Sequence, residues 1–126
     1  MDKSYSCINF KGYLDREAFQ STLLKYDIGL SYVPMIDMFD CQPPTKTFEY
    51  LMAGLPVLAT STYENKLIVS SSNGWLCDTN IQSINLAFDN IKNSDISKLL
   101  PRRGMSIHTW DSIFDNYYSD LINDKI

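Results

Sequence analysis

Residues 43–57 read PPTKTFEYLMAGLPV, and this stretch decides the fold. Thr45 to Ala53 has the pattern of a helix that Gly54 closes, with Pro56 just beyond, where it cannot continue the helix. Val57 to Thr60 is then a continuous apolar run, which is typical of a strand covered on both faces. The stretch therefore predicts a helix that leads directly into a buried strand.

Short apolar runs bounded by glycine or proline predict further strands on both sides of this stretch. Together with the first, the predicted strands are Cys7–Lys11, Asp27–Val33, Val57–Thr60 and Gly74–Cys77. Helical patterns lie between them. We therefore expect one α/β domain over residues 1–126, with a partial Rossmann-like parallel sheet of about four strands and flanking helices.

The helices have their own start signals and apolar stripes. Asp15 is a favourable N-cap for the first of them, and Thr79 with Gln82 has the spacing of a capping box for a later one. The stripe of that later helix consists of Ile81, Ile84, Phe88 and Ile91. The last predicted helix has the strongest apolar pattern, and its stripe consists of Trp110, Ile113, Phe114, Tyr117, Tyr118, Leu121 and Ile122.

The composition limits the classes of function. With 126 residues, of which 44% are hydrophobic and 21% charged, the chain has the balance of an ordinary globular domain. A net charge of −4 argues against a nucleic-acid partner, because an acidic chain repels phosphate backbones. Three widely spaced cysteines and a lone histidine, His108, argue against a disulfide framework and a metal site. The sequence shows neither a signal peptide nor a membrane-length apolar run, so we expect a cytoplasmic protein.

The residues that carry chemistry lie where the proline-rich loop meets the predicted helix. In open α/β sheets ligands bind at the carboxyl ends of strands, and the N–H groups at a helix start attract phosphate. Thr45 and Thr47 offer hydroxyl groups at this place, and Lys46 offers a positive charge. Glu49, about one turn into the helix, can accept two hydrogen bonds from a diol such as that of ribose.

A purely structural explanation of the same residues stays open. Thr45 could simply cap the helix, Lys46 could be solvated, and Glu49 could only complement the helix dipole. Taken alone, local physics favours this structural explanation.

The segment from Lys46 to Val57 resembles the donor-site signature of the family 4 retaining glycosyltransferases, which have the GT-B fold. In that family a strand ending in proline and a loop precede a helix that reads Lys-x-x-Glu-Tyr or Lys-x-x-Glu-Ala, followed by Gly-x-Pro-Val. Residues 46–57 fit this pattern throughout. The flanking elements resemble the family in the same order, and they are Ile8–Gly12, Asp27–Ser31, Asn73–Leu76 and the helix that contains Trp110.

The resemblance implies that a hexose is transferred from a nucleotide-diphosphate sugar to a growing glycan, with retained anomeric configuration and without a metal or other cofactor. It implies that Glu49 binds the ribose hydroxyls and that Thr45 and Lys46 lie near the diphosphate, with Thr47 as a further hydroxyl donor. Tyr13 would lie beside the base or be an ordinary surface tyrosine. No nucleophile or general base is visible, and in the family the leaving group is stabilised electrostatically by donors around the diphosphate.

The sequence departs from the family in two ways. Many members have two glutamates with seven residues between them, and Cys41 stands where the first of these would be. The resemblance also begins midway through the nucleotide-binding domain, without the Arg/Lys pair that clamps the diphosphate and without the N-terminal domain that binds a glycan or lipid-linked acceptor. We therefore expect no sugar transfer by the isolated chain. We also expect self-association or marginal stability, because strands and helix surfaces are left without their partners.

Two other functions remain open. The chain could be a non-catalytic remnant or nucleotide-binding module, including one piece of a split enzyme. It could also be half of a sugar-nucleotide epimerase of the same architecture. The sequence does not identify the sugar, the nucleotide or the acceptor.

Overall fold

The computed structural model of the protein describes residues 7–99. Strands alternate with helices in this part of the chain, which is therefore an α/β unit. In chain order the elements are α1 Arg16–Leu23, β1 Gly29–Ser31, α2 Asp37–Asp40, α3 Thr45–Met52, β2 Val57–Thr60, α4 Tyr63–Ile68, β3 Gly74–Cys77, α5 Ile81–Lys92 and a 3₁₀ turn at Ile96–Lys98. None of the helices in residues 7–99 is long and apolar enough to cross a bilayer.

The strands form one parallel sheet in the order β1-β2-β3. Leu30 of β1 lies beside Leu58 of β2, which lies beside Trp75 of β3, so these three side chains share one face of the sheet. Every residue of β2 is buried, as its continuous apolar run predicts. The predicted parallel α/β sheet is confirmed, with three strands in residues 7–99 where about four are predicted.

The predicted strand at Cys7–Lys11 is wrong. Residues 8–15 have no regular secondary structure, and the side chains of Ile8 and Phe10 are 69% and 92% exposed. Alternation of apolar and polar residues shows which side chains a strand would bury, but a strand also needs a neighbour for its N–H and C=O groups. Within residues 7–99, no strand of the sheet pairs with this segment.

The helix boundaries follow local capping chemistry. Asp15 caps α1 as predicted, since its carboxylate accepts a hydrogen bond of 2.8 Å from the Ala18 amide. At α5 the cap is Asn80, one residue later than the predicted Thr79, and the Asn80 side-chain oxygen accepts a bond of 2.8 Å from the Ser83 amide. Gly54 follows α3 with a φ of 80°, the left-handed conformation that favours glycine after a helix.

Two apolar clusters hold the helices on opposite faces of the sheet. Their buried members are Leu51, Val57, Ala59 and Val69 on the face of α3, and Leu58, Cys77, Ala87 and Ile91 on the face of α5. Each large aliphatic side chain that is fully buried contributes about 1.5–3 kcal/mol to stability. Burial raises the pKa of the Cys77 thiol, and nearby Asp78 adds to this effect.

The predicted stripe of α5 is correct only in part. Ile91 is buried and Ile84 packs against the cluster, whereas Ile81 and Phe88 are exposed. Three strands offer a narrow surface, so the sheet covers a narrower band of the helix than the sequence pattern contains. The predicted helix around Trp110 lies outside the described residues.

Candidate functional site

Helix α3 begins beside the carboxyl ends of the strands. The Thr47 hydroxyl in its first turn lies 2.8 Å from the hydroxyl of Ser31, the last residue of β1. At Gly29 any side chain would meet the ring of Tyr50, so α3 packs directly on β1. The start of α3 is therefore fixed at the edge of the sheet where α/β proteins bind ligands.

A small cleft of about 160 Å³ lies between the end of β1 and the start of α3. Residues 31–33 form one wall, and residues 42–46 form the other. Thr45 and Lys46 belong to this second wall, and both are exposed. Pro44 precedes the helix and makes no side-chain capping bond, so its side chain does not compete with an anion for the first N–H groups of α3.

The loops that border this small cleft are held in place by hydrogen bonds. The Thr60 hydroxyl accepts a bond of 2.9 Å from the Val33 amide and donates one of 2.7 Å to the Val33 carbonyl. Farther along the loop, the Asp40 carboxylate accepts a bond of 2.8 Å from the Tyr63 amide at the start of α4. The cleft therefore has fixed walls, which is what a preorganised binding site requires.

A larger cleft of about 550 Å³ lies between α1 and α3. Glu49 is exposed and lines it from α3, while Arg16 and Gln20 line it from α1. Its remaining lining is mainly apolar and consists of Leu14, Phe19, Leu23, Leu24, Met52 and Ala53. An apolar cleft with a few polar groups on its rim is the usual form of a small-molecule site.

The two clefts share the first turns of α3. Lys46 lines the small cleft and Glu49 the large one, and residues three apart on a helix have their Cβ atoms about 5–6 Å from each other. Thr45 lies with Lys46. Tyr13 is 95% exposed and lines neither of these two clefts. The structure thus brings Thr45, Lys46 and Glu49 to one end of α3 and leaves Tyr13 apart from them.

Thr47 lies in the interior and not on either cleft. Its side chain is fully buried, and its hydroxyl lies 2.8 Å from both Ser31 Oγ and Asn65 Oδ1. Asn65 is also fully buried, and its side-chain amide donates a bond of 2.9 Å to the Thr60 carbonyl. We therefore assign Thr47 a structural role, in which it ties the start of α3 to β1, β2 and α4.

Some residues of the clefts and their support were missed from the sequence. Asn65 was missed although it stands three residues after Thr62, whose hydroxyl caps α4 by accepting a bond from the Asn65 amide. That Thr-x-x-Asn spacing indicates a helix start, but nothing in it indicates a buried side chain. Arg16 and Gln20 follow the predicted cap Asp15, so their helix was predicted and their place opposite Glu49 was not.

The charge at the large cleft comes from carboxylate and guanidinium groups. Burial raises the pKa of the Tyr50 phenol, and the adjacent Glu49 carboxylate raises it further. Tyr50 is therefore neutral at neutral pH and adds no charge beside Glu49. Within residues 7–99, no three His, Cys, Asp or Glu side chains are grouped so that they could hold a metal ion.

Comparisons of the chain with family models, with curated proteins and with solved structures give no match. The resemblance in residues 46–57 therefore stands on its motif alone. What the protein does has to be argued from the two clefts and the side chains that line them.

Proposed function

We propose that the chain binds a nucleotide-diphosphate sugar and forms part of the donor-binding domain of a family 4 retaining glycosyltransferase. One observation carries this proposal. The first turns of α3 present Thr45 and Lys46 to one cleft and Glu49 to its neighbour. A cation and an exposed carboxylate one helical turn apart suit a ligand that has an anionic part beside a diol.

The larger cleft suits the nucleoside. Its apolar wall, which includes Leu14 and Phe19, offers a surface for a flat base, and the Glu49 carboxylate offers two acceptor oxygens for the ribose hydroxyls. Its volume of about 550 Å³ lies within the usual range of about 300–1,000 Å³ for ligand pockets. The guanidinium of Arg16, on the opposite wall, can stack on the base.

The smaller cleft suits the diphosphate. Thr45 can donate a hydroxyl hydrogen bond, and Lys46 supplies a positive charge that partly neutralises the phosphates. The N-terminal end of α3 adds its dipole and its first N–H groups, since Pro44 gives no side-chain cap. In a transferase these same donors would stabilise the nucleoside diphosphate as it leaves the sugar.

Transfer of the sugar also needs an acceptor, and in this proposal the acceptor-binding surface belongs to another domain. The described residues supply the donor half, so the isolated chain is expected to bind nucleotide without turnover. A chain that binds the nucleoside diphosphate as tightly as the sugar-linked form would instead act as a nucleotide-binding module.

The test is calorimetric titration of the chain with UDP, GDP and their hexose conjugates, followed by two variants. Glu49→Gln is expected to weaken nucleotide binding by about tenfold, because a hydrogen bond to a charged group contributes about 1.5–3 kcal/mol. Lys46→Ala is expected to weaken binding of the diphosphates but not of the free nucleoside, and its effect is expected to shrink as salt is raised.

Matched controls separate these effects from changes in net charge. Glu17→Gln removes an exposed carboxylate from α1, and Lys66→Ala removes an exposed ammonium group from α4. Neither residue lines the two clefts, so neither variant should change affinity. Equal losses in the control and the site variants, or no nucleotide binding at millimolar concentration, would reject the proposal.

A further inference from the structure

Helix α1 presents one face to the large cleft. The cleft residues of this helix have the spacing of a single helix face, and they are Arg16, Phe19, Gln20 and Leu23. The first turn of α1 is fixed, because the Asp15 carboxylate accepts a hydrogen bond of 2.8 Å from the Ala18 amide. The polar side chains of this face are therefore carried at defined positions on the wall opposite Glu49.

The guanidinium of Arg16 takes part in no ion pair within residues 7–99, where the ion pairs join Lys92 to Asp89 and Lys98 to Asp95. The Arg16 side chain is exposed, and it lines the large cleft and not the small one. It therefore meets the nucleoside part of the proposed ligand and not the diphosphate. A guanidinium offers a planar fork of N–H donors, and such a fork is best matched by two adjacent acceptors.

Guanine carries such a pair of acceptors on the edge far from the ribose. Its O6 and N7 atoms are adjacent, and arginine binds them with two hydrogen bonds. Adenine has an amino group in place of O6, and this donor repels the fork. Uracil has O4 beside a C–H group, so it gives the fork only one hydrogen bond. Cytosine has the adjacent acceptors O2 and N3, but O2 stands next to the glycosidic bond, on the side of the ribose.

Gln20 adds a contact to the same edge of the base. It follows Arg16 by four residues, so the two side chains are neighbours on the surface of α1. Guanine has N1–H beside O6, and the Gln20 carboxamide oxygen can accept a hydrogen bond from it. Uracil offers an equivalent N–H beside O4. Gln20 is therefore suited to orient the base, whereas Arg16 is suited to select it.

We infer that Arg16 makes the large cleft selective for guanine, so that the ligand of this site is a GDP-sugar. The inference rests on the proposed function, because it takes Glu49 as the partner of the ribose on the opposite wall. The Arg16 guanidinium donates to O6 and N7, and Gln20 accepts from N1–H. Stacking of the guanidinium on the base would give no such preference, since every base has a π face.

Calorimetric titration with nucleoside diphosphates tests the inference. We expect GDP to bind about tenfold or more tightly than UDP, ADP or CDP, because a hydrogen bond to a charged group is lost or misplaced in each of them. The analogue 7-deaza-GDP has a C–H group in place of N7 and is expected to bind about tenfold more weakly than GDP. IDP keeps O6, N7 and N1–H, so it is expected to bind as GDP does.

Three variants separate selection from charge and from orientation of the base. Arg16→Lys keeps the positive charge but removes the fork, so it is expected to lower GDP affinity about tenfold and UDP affinity less. Gln20→Leu is expected to weaken GDP and UDP alike. Lys25→Ala removes an exposed cation just after α1 that lines neither cleft, and it should leave the ratio of the two affinities unchanged.

The outcomes distinguish this inference from the proposed function. Equal binding of GDP and UDP, tighter binding of CDP, or equal binding of GDP and 7-deaza-GDP would overturn the selectivity and leave nucleotide binding in place. An unchanged preference for GDP in Arg16→Lys would overturn the role of the fork. If none of the diphosphates binds at millimolar concentration, the proposed function fails and the inference fails with it.

Discussion

Replacing Gly74 with alanine is expected to remove a large part of the folding stability of the protein. A Cβ at this position would collide with the backbone carbonyl of Val57 on the neighbouring strand and would also crowd the Val57 side chain. Backbone within a paired sheet cannot move aside without breaking its hydrogen bonds, so we expect a loss of about 3 kcal/mol. Small domains are stable by only about 5–15 kcal/mol, so a loss of about 3 kcal/mol removes about a fifth to three fifths of that stability.

The control is the same substitution at Gly12, where an added Cβ meets open space. Gly12 has a φ of 67°, so Gly12→Ala carries only the backbone cost of the left-handed conformation, about 1–2 kcal/mol. Urea unfolding followed by circular dichroism should rank the proteins as wild type, Gly12→Ala and Gly74→Ala in falling stability. Equal midpoints for the two variants would show that the close approach at β3 does not constrain the fold.

Asn65→Leu is expected to have the next largest effect on stability. The substitution keeps a side chain of similar size but removes one of two partners of the Thr47 hydroxyl and one of the donors to the Thr60 carbonyl. Each lost hydrogen bond costs about 0.5–1.5 kcal/mol net, and Asn65 is fully buried. For the two bonds we expect a total loss of about 1–3 kcal/mol in urea unfolding.

A double-mutant cycle with Thr47→Val tests this explanation. Once Asn65 has been replaced, the bond between the two side chains is already lost, so Thr47→Val should cost less than it does in the wild type. The expected coupling free energy between the two positions is about 1 kcal/mol. Strictly additive losses would mean that the bond between these side chains does not stabilise the protein.

Much of the fold could be predicted because its signals are local. The apolar run of β2, the cap at Asp15 and the glycine after α3 each depend on neighbours in sequence, and all three are confirmed. The strand at Cys7–Lys11 was wrong because strand formation depends on a partner, and an alternating pattern carries no information about that partner.

The candidate site was predictable only as a set of residues and not as a shape. The position of α3 after a proline-rich loop placed Thr45, Lys46 and Glu49 near a strand end, and the structure has them at the clefts. The same reasoning grouped Thr47 with them. Successive side chains on a helix point about 100° apart, and the sequence does not show which of these directions faces the sheet. The packing of α1, β1 and α4 around α3 decides that this segment lines two clefts and that Thr47 forms its hydrogen bonds in the interior, and the sequence does not show this packing.

The buried thiol of Cys77 can report when the core of the protein opens. Its thiol is buried between the sheet and α5, and its raised pKa keeps it protonated, whereas an alkylating reagent needs an exposed thiolate. Cys7 and Cys41 are exposed and are free to react at once. The slow third alkylation therefore reports how the layer between β3 and α5 opens. Its rate follows the equilibrium population of the open form when closing is faster than alkylation, and it follows the opening rate when alkylation is faster.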